Sequence, residues 1–222
     1  GIVTATISDT THAELVQLTG TAANANAYTI TTSETSLTGA QINAINTRTT
    51  VPVNASSVAT LTGVPGDVLT ALVENSDFDT DYTTAKARTI TGLDDVKVTI
   101  DPGANTATIA EIFGIEKLTT GLVTATVTAG GDNQGLDHLM DTTSGIGLTN
   151  PNNAISVTVD DGGATGQTIS AADLLTLNSR TTGLITVTVT AISGSVADLK
   201  TAFAANVNPA VAGTQITGLQ GD

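Results

Sequence analysis

SAADLLTLNSRTTGLITVTVT, residues Ser170–Thr190, combines the signal for a helix start with the signal for a β-strand. Ser170 and Asp173 stand three positions apart, the spacing of a capping box. The leucines that follow are spaced as on one side of a short helix, and Gly183 ends the next turn. From Leu184 onward, apolar residues alternate with Thr, which is typical of a strand with one buried face. We therefore predict a helix, a turn and a strand whose outer face is a row of hydroxyl groups.

The turn and strand of this stretch recur along the chain. Residues 119–128 (TTGLVTATVT) match residues 181–190 (TTGLITVTVT) at almost every position, and residues 1–8 (GIVTATIS) repeat the strand alone. A weaker copy, TTVPVNA at 49–55, contains Pro52, which removes a backbone donor and predicts a strand start there. The Thr–Thr pairs are 119 − 49 = 70 and 181 − 119 = 62 residues apart, which leaves room for two strand–helix units per period.

A second kind of strand lies between these copies, at residues 27–31, 96–101 and 155–160. Five capping pairs mark predicted helix starts. They are Thr11 with Glu14, Thr38 with Gln41, Thr108 with Glu111, Ser170 with Asp173, and Ser195 with Asp198. Apolar residues follow at helical spacing, as in the series Val196, Leu199 and Phe203, or Leu136, Leu139 and Met140.

These patterns predict an α/β repeat solenoid of stacked strand–helix coils, with a parallel β-sheet on one side and short helices on the other. We expect a single array over residues 1–222, with about seven coils of roughly 30 residues and a two-coil period of 62–70 residues. The array starts in a strand and stops after Gln215–Leu219, so we expect it to be incomplete at both ends and flanked by similar repeats. A string of small β-sandwich domains is the alternative, which the capping pairs disfavour.

Composition limits the partners. The net charge of −14 repels nucleic acids and anionic lipid surfaces. No apolar run has the roughly 20 residues of a membrane helix, so no membrane insertion is expected. The chain has no Cys, which excludes disulfides and thiolate metal sites.

Residues for catalysis are scarce. His12 and His138 are the only histidines, and neither has the spacing of a metal pair. No G-x-S-x-G motif accompanies the many Ser and Thr residues, and no phosphate-binding glycine motif is present. We expect that the protein is not an enzyme.

The densest acidic stretch, at residues 74–81, has Asp77, Asp79 and Asp81 at alternate positions. Alternating carboxylates sometimes bind Ca²⁺, although the EF-hand pattern fails because Tyr82 and Arg88 stand where Gly and Glu are needed. A solvated acidic loop is the preferred interpretation, and Ca²⁺ is the one cofactor that the sequence suggests. The turn residues Asp101 and Asp160 are weaker candidates.

The Thr rows are the most distinctive predicted surface. They comprise Thr4 and Thr6; Thr124, Thr126 and Thr128; and Thr186, Thr188 and Thr190. The simplest interpretation is that Thr is a good residue for an exposed strand face. The functional alternatives are a face that binds ice or one that packs against another protomer.

Residues 119–206, with phrases such as TTGLVTATVTA and SGSVADLKTAFAAN, resemble the Ala/Asp/Thr/Gly-rich repeats of very large secreted surface proteins of bacteria, particularly marine cyanobacteria. The resemblance implies an extracellular or cell-surface location and a role in adhesins, surface layers or fibres. The RTX nonapeptides that often accompany such repeats are absent.

We therefore expect a structural protein that packs against copies of itself or flanking repeats. The alternative is a binding module for ice, through the Thr array, or for carbohydrate or Ca²⁺, through polar loops. Aromatic residues are only 2% of the chain, which argues against stacking on sugars.

Overall fold

The computed structural model describes residues 1–19, 26–78, 84–101, 107–130, 151–160, 168–189, 191–206 and 215–219. The chain forms two compact units. The first comprises Gly1–Asn105 and Lys117–Leu122, and the second comprises Thr106–Glu116 and Val123–Asp222.

The first unit alternates short strands with helices. Its elements are β1 (Thr4–Thr6), α1 (His12–Leu15), β2 (Ala27–Thr29), β3 (Ser36–Thr38), α2 (Gly39–Asn46), β4 (Val53–Asn54), β5 (Thr60–Gly63), α3 (Pro65–Asn75), β6 (Ile90–Thr91) and β7 (Lys97–Ile100). Strands β3, β5 and β7 pair in parallel, and so do β1 with β2 and β4 with β6. Parallel bridges between Asn26 and Thr49 and between Thr31 and Asn54 connect the flanks of β2 and β4.

The second unit follows the same plan. Its elements are α4 (Ile109–Leu118, whose last two residues belong to the first unit), β8 (Val123–Gly130), β9 (Ala154–Asp160), β10 (Thr168–Ser170), α5 (Ala171–Asn178), β11 (Ile185–Val187), β12 (Ala191–Ser193), α6 (Val196–Ala205) and β13 (Ile216–Thr217). Strands β8, β9, β11 and β13 pair in parallel in that order, and β10 pairs with β12.

Parallel partners are separated by about one strand–helix repeat. Thr4 pairs with Ala27, a separation of 27 − 4 = 23 residues, and Thr60 pairs with Lys97, a separation of 97 − 60 = 37 residues. In the second unit, Ile185 pairs with Val157 and Ile216, separations of 28 and 31 residues. The fold is therefore mixed α/β with parallel strands, as the sequence predicts.

The core of each unit is a thin layer of aliphatic side chains between strands and helices. On β9, buried Ile155, Val157 and Val159 alternate with half-buried polar residues. Helices α2 and α3 pack side by side in the first unit, as do α5 and α6 in the second. Burial of such Ile, Val and Leu side chains also stabilises the strands other than β8 and β9, which are only two to four residues long.

A helix begins at each of the five predicted capping pairs, and the capping bond to the backbone is formed at four of them. Thr38 and Gln41 form a complete capping box, and Thr108 and Glu111 exchange the same two bonds. The hydroxyls of Ser170 and Ser195 accept from the backbone N–H three residues later. At α1, the Thr11 hydroxyl instead donates to the Glu14 carboxylate and makes no capping bond to the backbone.

Two sequence expectations differ from the structure. Val196 and Phe203 were predicted to face the core, but they are 84% and 38% exposed, and Leu199 is half-buried. The physical reason is that α6 packs mainly against α5 among the described elements, which leaves its other side uncovered. The strand predicted to run to Thr190 is observed only over Ile185–Val187. The predicted helix around Leu136–Met140 lies outside the described residues.

Candidate interaction surface

The outer face of the sheet in the second unit is lined with hydroxyl groups. On β8, Thr124, Thr126 and Thr128 are exposed, and Val123, Ala125 and Val127 between them are buried. The alternation follows from the pleat, which sends successive side chains to opposite faces of the sheet. The predicted outer position of these Thr residues is therefore observed.

Strand register brings one Thr from each of four strands into a single row. Thr128 pairs with Thr158, Thr158 with Thr186, and Thr186 with Thr217. The hydroxyls of Thr186 and Thr217 are 3.5 Å apart, and neighbouring strands are spaced by about 4.8 Å. We call these four residues the Thr row. The next row is less regular, since Thr126 pairs with Ser156, and Thr124 pairs with Ala154.

The remaining predicted Thr residues occupy other places. Thr4 and Thr6 are exposed on β1 in the first unit, where Thr6 pairs with Thr29. Thr188 is exposed beyond the end of β11, and its hydroxyl donates to the Val159 carbonyl at 3.0 Å. Thr190 lies outside the described residues.

Sequence inspection missed Thr158 and Thr217 in the Thr row, and a shorter row of Thr38, Thr62 and Thr99 in the first unit. Thr158 stands in a recognised alternating strand, so its outward position could have been predicted. Its alignment with Thr128 and Thr186 depends on strand register, which no local pattern specifies.

The first Thr of each Thr–Thr pair has a buried structural role. Thr49, Thr119 and Thr181 are all buried, and each bonds to the preceding strand segment. The Thr49 hydroxyl accepts from the Tyr28 N–H at 2.9 Å and donates to the Tyr28 carbonyl at 2.6 Å. Thr181 makes the same two bonds to Ile155, and the Thr119 hydroxyl donates to the Val96 carbonyl. We call this arrangement the Thr clasp.

The residues after each clasp Thr complete the junction. The N–H groups of Thr50, Thr120 and Thr182 donate to the carbonyls of Asn26, Asp94 and Asn153, respectively. The N–H of Gly183 donates back to the Thr181 hydroxyl, which closes the turn. A Cβ at Gly183 would lie 2.3 Å from the Ile155 carbonyl oxygen, so this copy of the clasp has no room for a side chain at position 183.

Buried Asn side chains support the corners between repeats. Asn153 accepts from the Val123 N–H at 2.8 Å and donates to the Glu116 carboxylate. Asn75 accepts from the Leu93 N–H at 3.0 Å. In each case the Asn oxygen accepts from a buried backbone N–H, which would otherwise have no partner in the corner.

Two carboxylates of the described part of the acidic stretch, those of Glu74 and Asp77, are paired with basic side chains. Arg88 donates to both carboxylate oxygens of Asp77 at 2.9 Å and to Asp94 at 2.8 Å. The hydrogen bond from Arg88 lowers the pKa of the Asp77 carboxyl and, reciprocally, raises the pKa of Arg88. Lys86 pairs with Glu74 at 3.1 Å.

Asp77 is therefore already paired with Arg88, and this ion pair would have to break before Asp77 could bind Ca²⁺. Asp79 and Asp81 lie outside the described residues, so the predicted Ca²⁺ site stays a prediction. Within the described residues there is no group of three or more His, Asp or Glu side chains that could hold a metal ion. Asp160 is half-buried at the end of β9, where it accepts from the Thr188 hydroxyl at 3.3 Å, and Asp101 is exposed after β7.

In the part of the chain that the structure describes, no hydrogen bond links His12 to a Ser or Thr hydroxyl. The backbone N–H of His12 donates to the Glu34 carboxylate at 2.7 Å. His138 lies outside the described residues. No helix in the described part of the chain has the length and apolar composition needed to span a membrane.

The chemistry available at the described surface is therefore that of neutral hydroxyls on a regular sheet. Such a surface can order water or pack against another surface, but the Thr row includes no base that could activate a hydroxyl. Comparison of the chain with protein-family models, curated proteins and solved structures finds no match, so its function has to be inferred from its own residues.

Proposed function

We propose that the chain is a structural repeat segment of an extracellular fibre, surface layer or adhesin stalk. It acts by packing against copies of itself or against flanking repeats, either end to end or side to side. The extracellular location rests on the resemblance of residues 119–206 to repeats of secreted bacterial surface proteins. The proposal requires no catalytic residue and no cofactor.

The observation that carries the proposal is the recurrence of the Thr clasp. Three clasps, at Thr49, Thr119 and Thr181, attach one strand segment to the preceding one by bonds of the same kind. A junction that is repeated within the chain can be repeated beyond it, because each repeat needs only its neighbours for stability. We infer that the repeats stack as coils of a solenoid, with parallel strands at about 4.8 Å spacing.

Electron microscopy of the purified 222-residue chain, with and without Ca²⁺, tests this function. We expect filaments or sheets at high protein concentration, with an axial rise of about 4.8 Å per coil if the coils stack along the filament. High salt should favour assembly, because it screens the repulsion between copies that each carry a net charge of −14. Discrete monomers at every concentration and salt level would argue against self-packing.

Binding to ice is a second candidate, favoured by the Thr row. Four aligned hydroxyls on parallel strands form a regular surface on which water can be ordered. Thermal hysteresis of the purified chain measures this activity directly. We expect Thr158→Lys, in the middle of the row, to abolish any hysteresis, whereas Thr201→Lys, at an exposed position on α6, should retain it. Hysteresis absent from the unsubstituted chain would exclude this function.

A further inference from the structure

Strands β9 and β11 pair side chains of the same kind. The buried face of β9 consists of Ile155, Val157 and Val159, and that of β11 consists of Ile185 and Val187. In the observed register, Ile185 lies opposite Val157, Thr186 opposite Thr158, and Val187 opposite Val159. Each pair therefore matches an aliphatic side chain with an aliphatic one, or Thr with Thr.

A shift of β11 by two residues would preserve this matching. Because the side-chain period of a strand is two, such a shift keeps every residue on the same face of the sheet. Val187 would then lie opposite Val157, so aliphatic residues would still meet. Thr188 would lie opposite Thr158, and the outer face would again pair Thr with Thr. We call this arrangement the shifted register, and the hydrophobic pattern does not distinguish it from the observed one.

The backbone bonds between the strands do not distinguish the two registers either. The Val157 N–H donates to the Leu184 carbonyl at 2.8 Å. After the shift, the Thr186 carbonyl would take the place of the Leu184 carbonyl and accept the same bond. The bonds of a parallel ladder are evenly spaced, so every second residue offers equivalent groups. The register is therefore determined by contacts outside the ladder.

The Thr181 clasp is made only in the observed register. The Thr181 hydroxyl accepts from the Ile155 N–H at 2.9 Å and donates to the Ile155 carbonyl at 2.7 Å, ahead of the first residue of β11. A shift by two residues moves the strand by about 6.6 Å, which would break both bonds. Gly183, the residue that would take the place of Thr181, has no side chain. The two backbone groups of Ile155 would then lose their partner at a cost in stability.

The close approach at Gly183 disfavours the shifted register in a second way. A Cβ at this position would lie 2.3 Å from the Ile155 carbonyl oxygen, and real Cβ atoms essentially never make contacts below 3.0 Å. In the shifted register, Ile185 would occupy this position with a β-branched side chain. Ile185 does not fit there unless the two strands move apart.

We propose that Thr181 and Gly183 together fix the register of β11 against β9. Thr181 stabilises the observed register through its two bonds, and the close approach at Gly183 excludes the shifted one. Both are positioning residues, because they act on the alignment of the strands. Strands with a weakly specified register are prone to slip, to pair wrongly and to aggregate. The inference goes beyond the proposed function, since it holds whether or not the chain packs against copies of itself.

The same two features occur together at a second clasp. Gly121 follows Thr119 by two positions, and a Cβ at Gly121 would lie 2.1 Å from the Val96 carbonyl oxygen. The Gly121 N–H donates to the Thr119 hydroxyl at 3.0 Å. The clasp at residues 49–51 has Val in place of Gly, so it retains only the hydroxyl bonds. The spacing Thr-x-Gly is therefore the sequence signature of the complete device.

Disulfide trapping tests the register, because the chain contains no Cys and two introduced Cys residues are its only thiols. Thr158→Cys with Thr186→Cys reports the observed register, in which these residues lie opposite each other. Thr158→Cys with Thr188→Cys reports the shifted register. In the observed register the Cα atoms of residues 158 and 188 are separated by about 8 Å, given the spacing and rise of strands. A disulfide spans at most about 7 Å, so the second pair does not form without movement of the backbone.

Each Cys pair is equilibrated in a glutathione buffer, and the disulfides are quantified by peptide mass mapping. Without further changes, only the first pair should form a disulfide. We expect Thr181→Val and Gly183→Ala each to increase the disulfide yield of the second pair at least about tenfold, which corresponds to about 1.4 kcal/mol. Thr181→Ser, which retains the hydroxyl, should restore the pattern of the unsubstituted chain.

Asn153→Ala is the matched control for a general loss of stability. It removes the acceptor of the buried Val123 N–H, and its side chain bonds to Val123 and Glu116 rather than to the Thr181 hydroxyl. The variant should therefore be less stable but should not increase the yield of the second pair. An equal increase in Asn153→Ala and Thr181→Val would contradict the inference, because the shift would then follow from instability alone.

Two further outcomes overturn the inference. One is that the second pair forms as readily as the first in a chain that retains Thr181 and Gly183. The other is that neither Thr181→Val nor Gly183→Ala increases the yield of the second pair while circular dichroism shows a folded chain. In that case the connection from α5 to β11 fixes the register.

Should Thr181→Val fail to fold, the clasp at Thr49 provides the same test. Thr31→Cys with Asn54→Cys reports the observed register, since these residues form a parallel bridge. Thr29→Cys with Asn54→Cys reports a shift by two residues in the same direction, and all three positions are exposed. Thr49→Val should increase the yield of the second of these pairs, and an unchanged yield in the folded variant would contradict the role of the hydroxyl.

Discussion

The Thr181 hydroxyl bonds to both backbone groups of Ile155 on the neighbouring strand, accepting from its N–H at 2.9 Å and donating to its carbonyl at 2.7 Å. Both residues are buried, so bulk solvent does not compete for these bonds. The bonds join segments 26 residues apart in the chain, where no strand ladder is available because β11 begins only at Ile185. One side chain thus extends the pairing of β9 and β11 past the end of the shorter strand.

Replacement of Thr181 by Val should lower the free energy of unfolding by about 1–3 kcal/mol, because Val has the same shape but leaves the Ile155 N–H and carbonyl without a partner. Thr181→Ser, which keeps the hydroxyl, should recover most of the loss. Thr124→Val is the matched control at an exposed strand position and should change stability by less than about 0.5 kcal/mol. Urea denaturation measures all three, and equal effects of Thr181→Val and Thr124→Val would contradict the role of the clasp.

Gly183→Ala should destabilise the protein by at least about 1–3 kcal/mol, the usual cost of overpacking. The added Cβ would lie 2.3 Å from backbone atoms of Ile155, which cannot move without breaking the sheet. Gly66→Ala on α3 is the control, since nothing lies within 4 Å of its Cβ position and Ala favours a helix. We expect Gly66→Ala to be neutral or stabilising, and a similar loss of stability in the two variants would contradict the close approach at Gly183.

Helix starts and buried strand faces could be predicted from the sequence because they depend on neighbouring residues. Thr38 and Gln41 form their capping box from groups three positions apart. Ile155, Val157 and Val159 are buried because alternation in a strand selects one face. Such local rules identify the elements and the composition of the core.

Relations across repeats could not be predicted in the same way. The Thr–Thr pairs marked the period, but the burial of Thr181 follows from the approach of Ile155 in another segment. Likewise, Val196 lies at the helical spacing that is typical of a core residue, but its exposure depends on which elements lie beside α6. The pairing of Asp77 with Arg88 joins residues 11 positions apart, and no local pattern specifies that they meet.

Asn153→Ala should cost about 1–3 kcal/mol, because the Val123 N–H would remain buried without an acceptor. Asn153→Asp keeps an acceptor for Val123 but places a second carboxylate beside Glu116, which accepts from the Asn153 amide in the native protein. Adding Glu116→Gln to Asn153→Asp should restore part of the stability, since the Gln amide can then donate to the Asp. A double-mutant cycle measured by urea denaturation tests this coupling. Strict additivity of the two changes would mean that the side chains do not interact.

The ion pair of Asp77 with Arg88 should make part of the stability depend on pH. Because the hydrogen bond from Arg88 lowers the pKa of Asp77 in the folded chain, the carboxylate stabilises the fold at pH values above its unfolded pKa, about 3.9. This contribution is lost as the pH falls through the lower pKa of the folded state. Asp77→Asn should therefore lower the melting temperature at pH 7, and the difference from the unsubstituted chain should shrink below about pH 4.

Asp95→Asn removes the same charge from an exposed residue outside the Arg88 ion pairs, and should show a smaller effect at pH 7. High salt should reduce the Asp77 effect, because the carboxylate is largely exposed and its attraction to Arg88 is screened.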